Sequence, residues 1–306
     1  MSMRLVTRSD FDGLVCAVLL KHLGFISEYK FAHPKDLQDG LIEITKDDIL
    51  ANVPYVKGCG LWFDHHASEK ERLGLFTFEG STKSLPSCAR VIWEYYGGYE
   101  KFPPFFDSMM EAADRVDSAN LTKDDIINPT GWVLLAFIMD PRTGLGRYRD
   151  YRISNYQLML DMINYCAIKS IEEILTLPDV VERSRRYFSQ QRDFTAMIER
   201  RATVHGNVLL VDLRPEEEIF SGNRFTIYAM YPQCNVSIQI IWGLRRQNVV
   251  LTVGRSILNR SCKANIGSLM LARGGGGHLS VGTCQVPEDQ VERILAEVIA
   301  ALKDEG

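Results

Sequence analysis

Residues 5–13 read LVTRSDFDG, a short apolar run followed by a polar turn that ends on glycine. A helical pattern of apolar residues then covers residues 14–23. Strand, loop and helix in this order are typical of the first unit of a parallel α/β domain. We therefore expect a buried strand whose carboxyl end carries Asp10 and Asp12.

A second short apolar strand is predicted at residues 61–63, and it ends on Asp64, His65 and His66. Helical patterns follow at residues 86–97, 105–118, 130–139 and 151–202, the last interrupted near Pro178. Its final part, residues 181–201, is highly charged, which is typical of a connecting helix rather than a core helix.

The pattern changes after Gly206. Runs of β type at hairpin-like spacing lie at residues 208–211, 225–228, 236–241 and 249–253. A short helix at 265–272, four glycines at 274–277, another strand and a final helix at 287–303 complete the chain. The sequence thus predicts an α/β protein with a parallel-sheet domain over residues 1–180, a helical linker over 181–203 and a smaller α+β domain over 204–306.

The length of 306 residues favours two domains of about 150 residues each. With 46% apolar and 24% charged residues, the composition excludes a disordered tail, a collagen-like chain and a disulfide-stapled miniprotein. Seven cysteines without C-x-x-C spacing favour free thiols in a reducing compartment. The sequence shows neither a signal-peptide stretch nor an apolar run of about 18 residues, so we expect a cytoplasmic protein without a membrane partner.

Charge is distributed unevenly along the chain. The net charge is −4, which argues against a protein that coats nucleic acid. No acidic residue lies between Glu218 and Glu288, so this stretch carries seven positive charges and the rest of the chain −11. We expect the acidic part to attract metal cations and the basic part to bind an anion. The basic residues are Arg224, Arg245, Arg246, Arg255, Arg260, Lys263 and Arg273.

Polar side chains follow both predicted N-terminal strands, and we expect these strands to be neighbours in the sheet. Ligands of open α/β sheets bind beyond the carboxyl ends of the strands. Asp10 and Asp12 can turn both carboxylates toward one point, although either could instead cap the following helix. Asp64 can fix the tautomer of an adjacent imidazole, whereas a surface pair of His65 and His66 is the alternative.

Two further features point to a binding site. Asp114 and Asp117 lie near the end of the helix predicted at 105–118, where acidic side chains oppose the helix dipole. This favours a function, with a solvated helix end as the alternative. Four consecutive glycines are costly in backbone entropy. Their backbone N–H groups can approach a phosphate closely, and His278 beside them could bind the same anion, whereas a flexible linker fits poorly between regular elements.

Together these motifs resemble the DHH phosphoesterase superfamily, in the subfamily with an appended DHHA1 domain. It includes single-strand exonucleases, oligoribonucleases, cyclic-dinucleotide phosphodiesterases and exopolyphosphatase-like proteins. Residues 9–13 resemble its first motif and residues 64–66 the motif that names it. Asp117, or alternatively Asp114, resembles the aspartate of the fourth motif, and residues 275–278 resemble the substrate-binding motif near the C-terminus.

The resemblance implies a pair of metal ions, usually Mn²⁺ with Mg²⁺ as the alternative, at the carboxyl edge of the sheet. Carboxylates with imidazole suit Mn²⁺, and two ions can activate water and neutralise charge on phosphorus. The implied metal ligands are Asp10, Asp12, His65 and Asp117, with Asp12 or Asp117 as the bridge and Asn52 and Asp114 as further candidates. The implied catalytic residues are Arg8, Asp12, His65 and His66, of which His66 would contact a phosphate. Across an interdomain cleft, the implied substrate-binding residues are His66, Arg255, Arg260, Lys263, Gly275, Gly276, Gly277 and His278.

Two positions depart from the pattern of the superfamily. Arg8 stands where it usually has a histidine ligand, and an arginine cannot ligate a metal. Asn52 stands at the best match for an aspartate after the second-motif strand. Each change removes a ligand, although the guanidinium of Arg8 could replace the charge of a missing cation. One ion instead of two, an altered metal preference and a loss of activity all remain open.

The sequence therefore predicts a metal-dependent phosphohydrolase, exopolyphosphatase-like or oligoribonuclease-like, that acts on polyphosphate or on short oligonucleotides or dinucleotides. A binding protein that holds a phosphorylated ligand without turnover is the alternative. Trp242 is the one aromatic residue between Pro232 and His278, which slightly favours a phosphate-only substrate over stacked bases. The helices at 151–202 are compatible with a homodimer or with packing inside one chain.

Overall fold

The computed structural model of the chain describes residues 2–66 and 77–304. It divides into two compact units. The first consists of residues 1–120 and 129–187, and the second of residues 121–128 and 188–306. No pattern in the sequence singles out residues 121–128 as part of the second unit.

Strands of the described residues form two sheets, one in each unit. The first sheet contains β1 (Met3–Thr7), β2 (Ile26–Phe31), β3 (Asp48–Ala51), β4 (Leu61–Asp64) and β5 (Gly80–Thr82). The second sheet contains β6 (Ala202–His205), β7 (Val208–Asp212), β8 (Val236–Trp242), β9 (Val249–Arg255), β10 (Gly276–His278) and β11 (Val281–Val286).

Helices surround these strands in both units. In chain order they are α1 (Phe11–His22), α2 (Pro34–Gln38), α3 (Cys88–Tyr95), α4 (Asp107–Asp117), α5 (Lys123–Ile127), α6 (Gly131–Met139), α7 (Asn155–Tyr165), α8 (Ile171–Leu175), α9 (Pro178–Arg201), α10 (Thr226–Met230), α11 (Ile266–Leu271) and α12 (Val291–Asp304). None of those in the described ranges combines the length and the apolarity that a bilayer-crossing helix needs.

The first sheet is parallel throughout and has the order β2-β1-β3-β4-β5, which confirms the predicted α/β class. The expectation that β1 and β4 are neighbours is wrong, because β3 lies between them. The edge strand β2 has no counterpart in the sequence analysis. Only Ile26 of its six residues is buried, so it lacks the apolar pattern that reveals the central strands.

The turn between β1 and α1 depends on Gly13. A Cβ at this position would lie 2.2 Å from the carbonyl oxygen of Arg8 and 2.8 Å from Oγ1 of Thr7, so a larger residue would push the turn open. The helix begins three residues before the predicted start because Asp10 caps it, with its Oδ1 accepting from the N–H of Gly13 at 3.0 Å. The turn therefore holds the side chains of residues 8–12 over the end of β1.

The second sheet is mixed and has the order β10-β11-β9-β8-β7-β6. Strands β7 and β8 are parallel and need a crossover connection, whereas the runs predicted at 236–241 and 249–253 form the antiparallel pair β8 and β9. Residues 225–228, predicted as a strand, lie in and next to α10 within this crossover. A run of four residues with three apolar side chains does not distinguish a strand from a short helix. The turn before α10 is set by Asn223, whose Oδ1 accepts from the N–H of Phe225 at 3.0 Å.

The glycine run is not the free loop that the sequence predicts, because Gly276 to His278 form the edge strand β10 against β11. Gly275 approaches β11 closely, and a Cβ there would lie 2.0 Å from the carbonyl oxygen of Thr283. A Cβ at Gly276, by contrast, would meet no atom within 4 Å. Packing against β11 therefore explains why residue 275 is glycine but does not explain residue 276.

Candidate metal centre

Polar side chains from three neighbouring strands meet at the carboxyl edge of the first sheet. Asp12 lies in the first turn of α1, which follows β1, and Asn52 comes directly after β3. His65 follows β4, and Asp117 is the last residue of α4. The parallel strands and the packing of α4 thus bring together residues that are up to 105 positions apart in the chain.

The Asp12 carboxylate and the His65 imidazole share a pocket with Asp117. His65 Nε2 lies 3.0 Å from Asp117 Oδ2 and 3.9 Å from Asp12 Oδ2. One ligand atom from each residue lies within 4.8 Å of the others. Atoms at these separations can each approach a common divalent ion to about 2 Å, so the three residues fit the ligand set of one such ion.

Asp12 is held by the N-terminus of α3. Its Oδ2 accepts from the N–H of Cys88 at 2.9 Å and its Oδ1 from the N–H of Ala89 at 2.8 Å. Burial, followed by the nearby charge of Asp117, raises the pKa of Asp12 to about 7, although His65 opposes this shift. Oδ1 also accepts a weak hydrogen bond from Cys16 Sγ at 3.9 Å, whereas Oδ2 keeps a lone pair for a further partner.

The orientation of His65 is set by the backbone carbonyl of Leu85. Its Nδ1 lies 3.1 Å from this oxygen, so Nδ1–H donates and Nε2 faces the carboxylates. Burial lowers the pKa of His65, but the hydrogen bond with Asp117 and the charge of Asp12 outweigh it and raise the pKa to about 9. Desolvation raises the pKa of Asp117, but the same contact with His65 outweighs it and lowers that pKa.

The Asp10 carboxylate is occupied by other partners. Besides the N–H of Gly13, its Oδ1 accepts from Asn52 Nδ2 at 3.2 Å, and its Oδ2 lies 3.0 Å from Nε of Arg8. Burial raises the pKa of Asp10, and the charge of Arg8 opposes this. Asn52 itself adopts a left-handed backbone with φ of 58°, and its Oδ1 is buried without a hydrogen-bond partner among the described residues. Asn52 thus turns its amide nitrogen, and not this oxygen, toward the Asp10 carboxylate.

Asp64 orients His66 rather than facing the carboxylate cluster. Its Oδ1 lies 2.7 Å from His66 Nδ1 and accepts from the N–H of His65 at 2.9 Å. Asp64 is buried, whereas the His66 side chain is 28% exposed. The contact through Nδ1 therefore directs Nε2 of His66 away from Asp64, where it can meet a ligand.

Asp114, the alternative to Asp117, is not brought to the cluster. Its Oδ1 accepts from Ser87 Oγ at 2.7 Å, and its Oδ2 from Arg90 Nη2 at 2.6 Å. Ser87 caps α3, whose N–H groups hold Asp12. Asp114 thus braces this N-terminus from the side, and one turn of α4 separates it from the residue that contacts His65.

Arg142 was missed in the sequence analysis. It follows α6 and lines a pocket together with Asp10, Asp12 and Asp117. Its Nε donates to Oδ1 of Asp140 at 2.7 Å, while its terminal nitrogens have no recorded hydrogen bond within residues 2–66 and 77–304. The sequence does contain a signal, the Asp-Pro-Arg turn directly after the apolar helix. Such a turn cannot be told apart from an ordinary helix end by sequence alone.

The basic residues predicted to bind substrate lie in the second unit. Arg255 donates from Nε to the carbonyl of Ala264 at 2.9 Å and from Nη2 to that of Lys263 at 2.9 Å. Its guanidinium therefore braces the backbone, which differs from the expected phosphate clamp. The side chains of Arg260 and Lys263 are exposed, as are Gly277 and His278 on β10, while Gly275 and Gly276 are partly buried.

Neither a protein-family model nor a curated protein matches the chain. Among solved structures, a pGpG-specific phosphodiesterase named PggH, from Vibrio cholerae, is 49% identical to it, with a TM-score of 0.85 and full coverage of both chains. RecJ from Thermus thermophilus in complex with Mn²⁺ is 12% identical, with a TM-score of 0.52. The match covers 98% of this chain and 52% of the RecJ chain. The chain belongs to the DHH phosphoesterase superfamily. A second RecJ exonuclease bound to manganese shares the DHH fold at 14% identity and a TM-score of 0.53, with 98% of this chain matching 90% of that one.

The donor set of this DHH protein fits a divalent metal ion at Asp12, His65 and Asp117 and fits poorly beside Asp10. Asp12, His65 and Asp117 combine two carboxylates with a correctly oriented imidazole, a set that suits Mn²⁺ or Mg²⁺. Around Asp10, the neighbouring groups are the guanidinium of Arg8 and the amide nitrogen of Asn52, which donate rather than ligate.

Proposed function

We propose that this chain is a divalent-metal-dependent phosphodiesterase that hydrolyses short linear dinucleotides such as pGpG. The observation that carries the proposal is the 49% identity over the full length to a pGpG-specific phosphodiesterase, with the cluster of Asp12, His65 and Asp117 at its candidate site. One water and one pGpG would give two molecules of GMP.

The residues of the first unit suggest how they would act. Asp12, His65 and Asp117 would hold the ion, which supplies a water of lowered pKa and neutralises charge on the phosphoryl oxygens. His66, held by Asp64, is placed to donate a hydrogen bond from Nε2 to a phosphoryl oxygen. Arg142 would bind another phosphate oxygen with its terminal nitrogens, since Asp140 engages only its Nε atom.

The same observations bear on two alternatives that the sequence leaves open, a phosphate-only substrate and a binding protein without turnover. A phosphate-only substrate was favoured by the scarcity of aromatic residues near the glycine run, but full-length identity to a dinucleotide phosphodiesterase supports a nucleotide. A binding protein without turnover is motivated by Arg8 and Asn52. The cluster formed by Asp12, His65 and Asp117 involves neither residue, which supports an enzyme.

The test is hydrolysis by the purified chain with and without added Mn²⁺. We expect pGpG to be converted to GMP only with the metal, and polyphosphate and long single-stranded DNA to be cleaved much more slowly. Asp117→Asn should reduce kcat/KM at least about 100-fold, because it removes a ligand. Asp114→Asn, one helical turn away, is the matched control and should stay within about tenfold of the wild type. Absence of turnover, or full activity of Asp117→Asn, would overturn the proposal.

A further inference from the structure

The two sides of the acidic pocket differ in the charge of the groups that contact their carboxylates. An ionised carboxylate offers about four acceptor positions. Asp10 accepts hydrogen bonds from Gly13 N–H at 3.0 Å and from Asn52 Nδ2 at 3.2 Å, and it forms an ion pair with Arg8 Nε at 3.0 Å. On the other side, Asp12 accepts two backbone N–H groups and a weak hydrogen bond from Cys16 Sγ at 3.9 Å, and Asp117 faces His65. Among the described residues, neither of these carboxylates is paired with an arginine.

Arg8 places a permanent positive charge beside Asp10. A guanidinium cannot be deprotonated in a protein and has no acceptor atom, so it excludes a cation from its vicinity. The Arg8 side chain is 29% exposed, and its terminal nitrogens have no recorded hydrogen bond within the described part of the chain.

Asn52 reinforces this asymmetry. Because its Nδ2 donates to Asp10, its Oδ1 points elsewhere and brings no negative charge to the pocket. A second divalent ion near Asp10 would have to displace both the amide and the guanidinium from the carboxylate. An ion at Asp12, His65 and Asp117 would meet two carboxylates that contact an imidazole and no guanidinium.

We propose that the site binds one divalent ion per chain, at Asp12, His65 and Asp117, and that Arg8 occupies the second cationic position. There Arg8 holds Asp10 through Nε and binds an oxygen of the substrate phosphate with its terminal nitrogens. The phosphate contact rests on the proposed function, but the number of ions does not.

The number of ions is measured by equilibrium dialysis with Mn²⁺ followed by elemental analysis, and by electron paramagnetic resonance. Wild type should bind one ion per chain and show a mononuclear spectrum. The double variant Arg8→His, Asn52→Asp supplies an imidazole and a carboxylate in place of the two donors. It should bind two ions and show the exchange coupling of Mn²⁺ ions about 3.5–4 Å apart. Arg149→His, the same change at an exposed position, should leave one ion.

Two ions in the wild type, or a double variant that still binds one, would overturn the proposal. If the double variant does not fold, Arg8→Met and Arg8→Lys provide the test, with GMP as the probe in titration calorimetry. Arg8→Met should weaken GMP binding about tenfold and Arg8→Lys less, whereas unchanged affinity for Arg8→Met would contradict the phosphate contact. One ion per chain without pGpG hydrolysis would refute the proposed function alone, and hydrolysis with two ions would refute this inference alone.

Discussion

Asp12 and His65 show how single residues of the site are positioned by backbone groups rather than by other side chains. The first turn of α3 holds both oxygens of Asp12, and the carbonyl of Leu85 holds Nδ1 of His65. Backbone partners of this kind keep the ligand atoms aligned whether or not an ion is present, which lowers the reorganisation that ion binding requires.

Arg142 is the residue that we expect to bind substrate without binding the metal ion. Its guanidinium lines the pocket but is not part of the ligand cluster, so it should act on substrate binding more than on the chemical step. Arg142→Met is expected to raise KM for pGpG about tenfold and to change kcat less than threefold, while leaving the Mn²⁺ affinity intact. Arg149→Met is the control in the same steady-state assay. An equal loss in kcat with unchanged KM would show that Arg142 acts in the transition state instead.

At the scale of elements, the packing of β10 against β11 distinguishes two adjacent glycines. Gly275→Ala would place a Cβ 2.0 Å from a carbonyl oxygen of β11, so it should lower the free energy of unfolding by about 2 kcal/mol. Gly276→Ala meets open space and should leave stability within about 0.5 kcal/mol of the wild type. Urea titrations of both variants check this. If Gly276→Ala keeps stability but raises KM for pGpG, the backbone of β10 contacts substrate, and equal destabilisation of both variants would contradict the packing argument.

Helix α9 carries a buried cation that ties it to the chain before α7. Arg183 donates to the carbonyls of Ile153 and Asp179 and to Oδ1 of Asn155, and its guanidinium lies 4.1 Å from the ring centroid of Tyr151. Its side chain is only 1% exposed. The highly charged segment predicted as a connecting helix is thus partly a core element.

Replacing this cation should be costly. Arg183→Met leaves buried carbonyl oxygens without donors, so we expect a loss of at least about 2 kcal/mol in the free energy of unfolding. Arg185→Met, on the exposed side of the same helix, should change it by less than about 0.5 kcal/mol. Thermal unfolding followed by circular dichroism compares the two. Similar midpoints for both variants would show that Arg183 is not a structural residue.

Local patterns were sufficient for part of the fold and of the candidate site. The apolar runs of β1 and β4 and the polar residues that follow them could be predicted because strand and turn are coded by neighbouring residues. The position of β3 between them could not be predicted, because the order of strands is a non-local property. For the same reason, the contact of Asn52 with Asp10 could not be predicted. The same limit explains why Asp114 and Asp117 stayed open, since only the packing of α4 against the sheet decides which of them meets His65.

For the molecule as a whole, the acidic part of the sequence and the basic stretch at 219–287 carry different kinds of functional side chains. The first unit carries the carboxylate and imidazole donors, and the stretch without acidic residues belongs to the second unit. Some of its positive charges, such as Arg255, are committed to the backbone, so charge distribution alone overestimates the groups available to an anion.

The central claim is that Asp12, His65 and Asp117 hold a divalent ion in a phosphodiesterase of the DHH superfamily. Crystals grown with Mn²⁺ and measured at the manganese absorption edge test it most directly. We predict one anomalous peak per chain, about 2 Å from a carboxylate oxygen of each aspartate and from Nε2 of His65. A map with no peak there, or with the manganese bound elsewhere, would contradict the account.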